Sequence, residues 1–127
     1  MGILCGTDII EISRVKKSIE KMGNAFAQRV YTDREISYCD NKKASMYKRF
    51  AARFAAKEAF SKAAGTGIGE AVGWKDIEVL NDDMGRPYVA IYGKVEKLLK
   101  RLNARNISIS LSHCNEYATA FVVIETY

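Results

Sequence analysis

Residues Ala51–Gly67, AARFAAKEAFSKAAGTG, decide how this chain folds. Ala51, Ala52, Ala55, Ala56, Ala59, Ala63 and Ala64 are strong helix formers and leave a narrow helix. The pattern predicts a long helix from about Ala44 to Ala64, ended by Gly65-Thr66-Gly67. At about 100° per residue, Ala51, Ala55, Glu58 and Lys62 share one narrow sector. A carboxylate and an ammonium thus stand among small residues, on a face suited to close approach. The same spacing also describes a surface Glu–Lys pair worth a few tenths of a kcal/mol. A second row, Arg53, Lys57 and Ser61, repeats every four residues and ends at the glycines. Such a cationic stripe can hold phosphates, although a glycine at a helix end is by itself only a cap.

Outward from this helix, the chain alternates between signals. Ile3 to Ile12 is aliphatic and β-branched and reads as a strand. Ser13 is placed to cap a helix that Gly23 stops, with Ile12, Val15, Ile19 and Met22 facing the core. Thr32 and Glu35 form a capping box for another helix. Trp74 to Asn81 and Pro87 to Tyr92 read as strands around the turn Asp82-Asp83-Met84-Gly85. A helix lies within Gly93 to Asn103. Ile107, Ile109 and Leu111 then alternate with serines, and Tyr117 to Glu125 returns as a hairpin partner. The expected class is α+β, a mainly antiparallel sheet packed with a long helix. The 127 residues suit one domain, 1–127. The apolar strands Ile107 to Leu111 and Tyr117 to Ile124 exceed what one small sheet must cover.

Composition narrows the partners. A net charge of +5 calls for something acidic. Cys5, Cys39 and Cys114 are odd in number and widely spaced, which suits a reducing, cytoplasmic setting rather than a disulfide frame or zinc site. No signal-peptide pattern opens the chain, and no apolar run could span a bilayer. Asp8 interrupts an apolar strand. A buried carboxylate must be paired, protonated or metal-bound, whereas one at a strand end simply serves a turn. With Glu58 it could offer oxygens to a hard cation. His113 is the only histidine, and Ser112-His113 could donate hydrogen bonds to a phosphate.

These stretches resemble a known family. Gly6-Thr7-Asp8-Ile9-Ile10-Glu11-Ile12 and Phe54 to Gly67 are similar to the two signature motifs of holo-[acyl-carrier-protein] synthases. Trp74 to Val79, Gly85-Arg86-Pro87 and Ser110-Leu111-Ser112-His113 follow in the family's order. Thr7 departs mildly, since the family more often has an aliphatic residue there. The resemblance implies a homotrimer with active sites between subunits. It implies transfer of 4′-phosphopantetheine from coenzyme A to acyl carrier protein, with Mg2+, in support of fatty acid biosynthesis. Asp8 and Glu58 would bind the metal, with Lys62 near the pyrophosphate. Glu58 and Lys62 are the catalytic candidates. Arg53, Lys57, Ser61 and Gly65 of one subunit, with Arg86, Pro87, Ser112 and His113 of the next, would frame coenzyme A. Arg14, Lys17 and Lys21, on one face of the first helix, would meet the acidic carrier protein. No nucleic acid or membrane partner is expected. A small basic nucleic-acid-binding domain and a purely structural oligomer subunit are the rival readings. No zinc-finger or aromatic-platform motif supports the former, and Asp8 and Glu58 would repel phosphate without a metal.

Overall fold

The computed structural model describes residues 1–127. In chain order the elements are β1 (Gly2–Glu11), α1 (Ile12–Met22), α2 (Asn24–Val30), α3 (Asp33–Asp40) and α4 (Met46–Ala63). Then follow β2 (Ile77–Asn81), β3 (Pro87–Ile91), α5 (Lys94–Arg101), β4 (Ala104–His113) and β5 (Tyr117–Thr126). The expected α+β class holds. β1, β5 and β4 form an antiparallel sheet in that order, and β2 and β3 form a separate hairpin.

The helix α4 is the axle. One core packs Ala55, Ala56, Ala59 and Phe60 against Val122 and Ile124 of β5 and Ile77 and Val79 of β2. A second gathers α1, α2 and α3 around Phe50, Ala51 and Ala52. Each large apolar side chain so buried contributes about 1.5–3 kcal/mol. The alanines have a further purpose. A Cβ placed on Gly6 of β1 would lie 2.1 Å from the Ala59 carbonyl oxygen and 2.6 Å from the Ala63 nitrogen. Strand backbone therefore lies directly on helix backbone, the close approach that small residues permit.

Local signals behave as their chemistry requires, with corrections. Thr32 and Glu35 make the reciprocal capping box of α3. Gly23 ends α1 at φ 57°, a conformation glycine adopts freely. Ser13, however, lies inside α1; Glu11 is the N-cap and no side chain caps it. The strand's last backbone N–H groups are already engaged with β5, so the helix starts directly from the sheet; Ile12 N–H donates to the Glu116 carbonyl at 2.9 Å. Met22 is exposed rather than core, because the chain turns away at Gly23. The strand expected from Trp74 begins at Ile77, after a 3-10 turn over Trp74–Asp76. The seven-residue α2 is too short to show a helical period in the sequence.

The sheet covers α4 with one face only. Its other face carries rows set by strand register: Cys5–Val123–Ser108, Thr7–Phe121–Ser110 and Ile9–Thr119–Ser112. Ile3, Ile9 and Phe121 are 70%, 62% and 47% exposed there. The apolar surplus of this face thus comes from β1 and β5. In β4 it is the serines that face outward, and Ile107, Ile109 and Leu111 pack inward against the core. No helix is long and apolar enough to cross a membrane.

Candidate active site

Buried residues occupy most of α4 from Phe50 onward; Phe54, Glu58 and Lys62, at i, i+4 and i+8, are the interruptions. This stripe runs beside β1, whose inward face presents Gly6, Asp8 and Ile10 in alternation. Asp8 sits in mid-strand opposite Ala120, so it serves no turn. Its carboxylate takes a hydrogen bond from Lys62 Nζ at 2.9 Å, and the same ammonium donates to the Thr7 carbonyl at 3.1 Å. The structure brings Asp8, Glu58 and Lys62 together, as their sequence positions suggested.

Electrostatically the pair of acids is under tension. Glu58 is pushed above the usual carboxylate range, first by partial burial and then by the charge of Asp8, with Lys62 opposing. Two carboxylates with one shared ammonium make an oxygen-rich, electron-dense pair. No third His, Cys, Asp or Glu joins them. Such a donor set fits a hard, oxygen-seeking cation that brings its own waters and takes anionic ligands, and it does not fit zinc. Gly65, at φ 84°, stands one turn past Lys62 at the same end of α4.

The Arg53–Lys57–Ser61 row lies elsewhere. Arg53, Lys57 and Ser61 are all buried, so the expected open phosphate stripe does not exist. Lys57 Nζ donates to Glu35 Oε1 at 2.8 Å and to the carbonyls of Trp74 and Ile77, each at 2.7 Å. All three of its donors are used inside the core, leaving none for a ligand. Burial pulls the Lys57 pKa down, and Glu35 holds the charge. Glu35 is itself saturated, accepting from Thr32 and Val79 backbone N–H groups at 2.9 Å each. Ser61 Oγ donates to the Glu58 carbonyl at 2.7 Å and is likewise internal. Lys57 and Ser61 are therefore structural. Sequence periodicity found the row but could not tell that α3 and β2 cover it.

Arg53 instead reaches the hairpin, where Nη2 donates to Asn81 Oδ1 at 2.6 Å. With Pro87 and His113 it lines a hollow of about 250 Å³. Arg86 lies beside this hollow in a neighbouring one shared with Pro87. Ser112 points the other way, into the outer-face row with Thr119 and Ile9. His113 and Ser112 are thus on opposite faces of β4 and do not form one donor pair within a chain. Arg14 and Lys17 line a groove with Ile10, Phe26 and Phe54, next to the acidic stripe, while Lys21 is exposed further along α1. Phe26 and Phe54 stack at 6.4 Å, a contact that a sequence reading without α2 could not anticipate.

Comparisons with known proteins converge on one family. Residues 4–122 match the model of the 4′-phosphopantetheinyl transferase superfamily. A holo-[acyl-carrier-protein] synthase of Ruminiclostridium cellulolyticum is 51% identical over 124 residues, covering 98% of this chain and 92% of that one. Among solved structures, the holo-[acyl-carrier-protein] synthase of Neisseria meningitidis superposes with a TM-score of 0.88 at 36% identity, covering 97% and 98% of the two chains. That of Bacillus anthracis, solved with CoA (3′,5′-ADP), gives 0.81 at 38% identity over 98% and 96%. By fold, motifs and near full-length identity, this chain belongs to the 4′-phosphopantetheinyl transferase superfamily, among its holo-[acyl-carrier-protein] synthases.

Proposed function

We propose that the protein transfers 4′-phosphopantetheine from coenzyme A to a serine of apo-acyl carrier protein, releasing 3′,5′-ADP, in the cytoplasm and in support of fatty acid biosynthesis. The observation that carries this reading is the convergence of Asp8, Glu58 and Lys62 on an otherwise buried helix. Mg2+ held by Asp8 and Glu58 would supply positive charge against the donor pyrophosphate. Lys62 has a third N–H free after its two bonds and can reach a phosphate oxygen. As an ion-paired ammonium it is a donor rather than a base. Glu58, the other carboxylate of the stripe, is the acceptor for the serine proton in this reading. The serine oxygen bonds to the β-phosphorus, the P–O bond to 3′,5′-ADP breaks, and the proton leaves to Glu58.

Residues 1–127 act as one domain in this reading, since both cores hang on α4. The working unit is a homotrimer. The uncovered apolar face around Ile3, Ile9 and Phe121 supports assembly, and closed rings are a common outcome for such faces. Helix geometry supports shared sites. Arg53 lies about 180° around α4 from Lys62, so Arg53, Pro87, Arg86 and His113 serve the acidic stripe of a neighbour. Arg53 thereby changes sides relative to the sequence expectation, and Gly65 stays with Lys62. Ser112, on the outer face, would meet the neighbouring subunit. Arg14, Lys17 and Lys21 offer the carrier protein a cationic surface beside the stripe.

The test is mass spectrometry of an apo-carrier protein incubated with this protein, coenzyme A and Mg2+. A gain of one phosphopantetheine is expected. An unchanged carrier mass, with a correctly folded carrier and coenzyme A intact, would reject the proposal.

A further inference from the structure

Most of the chain's net positive charge lies in one stretch away from α1. Between residues 94 and 105, Lys94, Lys97, Lys100, Arg101 and Arg105 stand against Glu96 alone, a surplus of +4 within a total of +5. All five cations are exposed. Val95 and Leu98 are the buried residues of α5, so its remaining sides display the charges. Lys94 pairs only loosely, with Asp76 at 4.0 Å. Lys97, Lys100, Arg101 and Arg105 take part in none of the chain's ion pairs.

The end of this stretch has shape as well as charge. The register of β4 on β5 slips between Ala104 and Asn106, which leaves Arg105 without a partner across the strand pair. Such a bulge re-aims the side chain it carries. The Arg105 guanidinium lies 6.0 Å from the centre of the Tyr127 ring, at a hollow of about 270 Å³. Val89, Leu99, Ala104 and Ile107 give that hollow an apolar lining. It falls below the roughly 300–1,000 Å³ of small-molecule pockets and suits one protein side chain. Ala104 and Gly2 both face Thr126, whereas α1 starts where Glu11 faces Tyr117. The ten-residue strand β1 lies between those ends. At about 3.3 Å per residue it puts roughly 30 Å between this surface and the start of α1.

We infer that α5 and Arg105 form a second docking surface for the acidic carrier protein, with the hollow taking one of its aliphatic side chains. Cations spread over a helix attract any polyanion. A lipid surface or a nucleic-acid backbone, however, has no side chain to seat on Val89, Leu99, Ala104 and Ile107. An acidic protein answers both features, since interfaces combine an anchored apolar centre with a charged rim. The choice of the carrier as that protein rests on the proposed transfer. Carrier captured here is kept beside the enzyme, and exposed charge of this kind speeds encounter more than it tightens binding.

The test is calorimetric titration of apo-carrier protein into the protein at low ionic strength, without coenzyme A or Mg2+. Wild type should bind two carriers per chain. Lys97→Glu with Arg101→Glu and Arg105→Glu should bind one, the other site weakening about tenfold or more. Arg14→Glu with Lys17→Glu should also bind one, and the two sets combined none. Lys97→Arg with Arg101→Lys keeps the charge and should bind two. Ala104→Leu fills the hollow with every cation intact and should weaken the α5 site alone. Circular dichroism confirms that each variant is folded. One carrier per wild-type chain, or a second that survives the charge reversal on α5, would overturn the inference. So would phosphatidylglycerol vesicles or a DNA duplex bound through α5 as tightly as the carrier. If the carrier binds at α5 yet gains no phosphopantetheine when coenzyme A and Mg2+ are added, the transfer reading fails and the docking surface stands. If it gains phosphopantetheine while wild type binds one carrier, the surface fails and the transfer stands.

Discussion

Gly6 lies against Ala59 so closely that a single methyl group on it would sit 2.1 Å from the Ala59 carbonyl oxygen. Both obstacles, that oxygen and the Ala63 nitrogen, are helix backbone and cannot swing aside. Gly6→Ala should therefore lift β1 from α4 and cost about 1–3 kcal/mol, the usual range for overpacking. Urea denaturation reads the cost. Because Asp8 follows two residues later, transfer should fall further than stability alone explains. A variant as stable and active as wild type would mean that the contact is looser than described.

Glu58 predicts a trade between stability and activity. Its pKa is raised in the folded chain above the ordinary value near 4.5, so the folded state holds a proton that the unfolded state has released. Stability then falls as pH rises through that window, and the loss is complete above it. Glu58→Gln removes the effect. In chelator, the variant should melt above wild type at neutral pH, and the two should converge below about pH 4. Its transfer rate should drop about 10²–10⁴-fold, the usual weight of a positioned base. A lower melting temperature at neutral pH would contradict this account.

Phe121 tests the outer sheet face. It is 47% exposed between Thr7 and Ser110. Phe121→Asp should leave the monomer folded by circular dichroism, yet shift sedimentation from trimer to monomer. Activity should disappear with the trimer if, as proposed, each site draws on two chains. Full activity in a monomeric variant would remove the case for shared sites.

Charge reversal on α1 tests the carrier surface. Arg14→Glu with Lys17→Glu should raise the KM for carrier protein about tenfold at low salt and leave that for coenzyme A unchanged. Exposed pairs steer encounter and are screened, so added salt should weaken wild type toward the variant. Unchanged carrier kinetics at low ionic strength would place docking elsewhere.

Much of this molecule is legible from local chemistry. The Thr32–Glu35 box, the glycine stops and the alternating strands follow from interactions within a few residues. Asp8 and Glu58 could be singled out because acids in apolar or small-residue surroundings require an explanation. What stayed hidden depends on distant segments. Lys57 reads as a phosphate ligand until α3, the 3-10 turn at Trp74 and β2 close over it, each supplying one acceptor. Ser112 and His113 read as a pair until the strand pleat separates them. Arg49 looks like any first-turn arginine until Tyr38, from another helix, holds it.

The saturated Lys57 has an effect on the whole enzyme. By fixing its ammonium to three acceptors, the core sets the rotation of α4 about its own axis, and each residue of slip would turn the helix by about 100°. Glu58 on one side and Arg53 on the other are aimed by the same peg. In the proposed ring with shared sites, these two residues of one chain would belong to different reaction centres. If the proposed trimer forms, a single subunit with a damaged peg would blunt two centres out of three, and mixed rings should lose activity faster than the fraction of faulty chains rises.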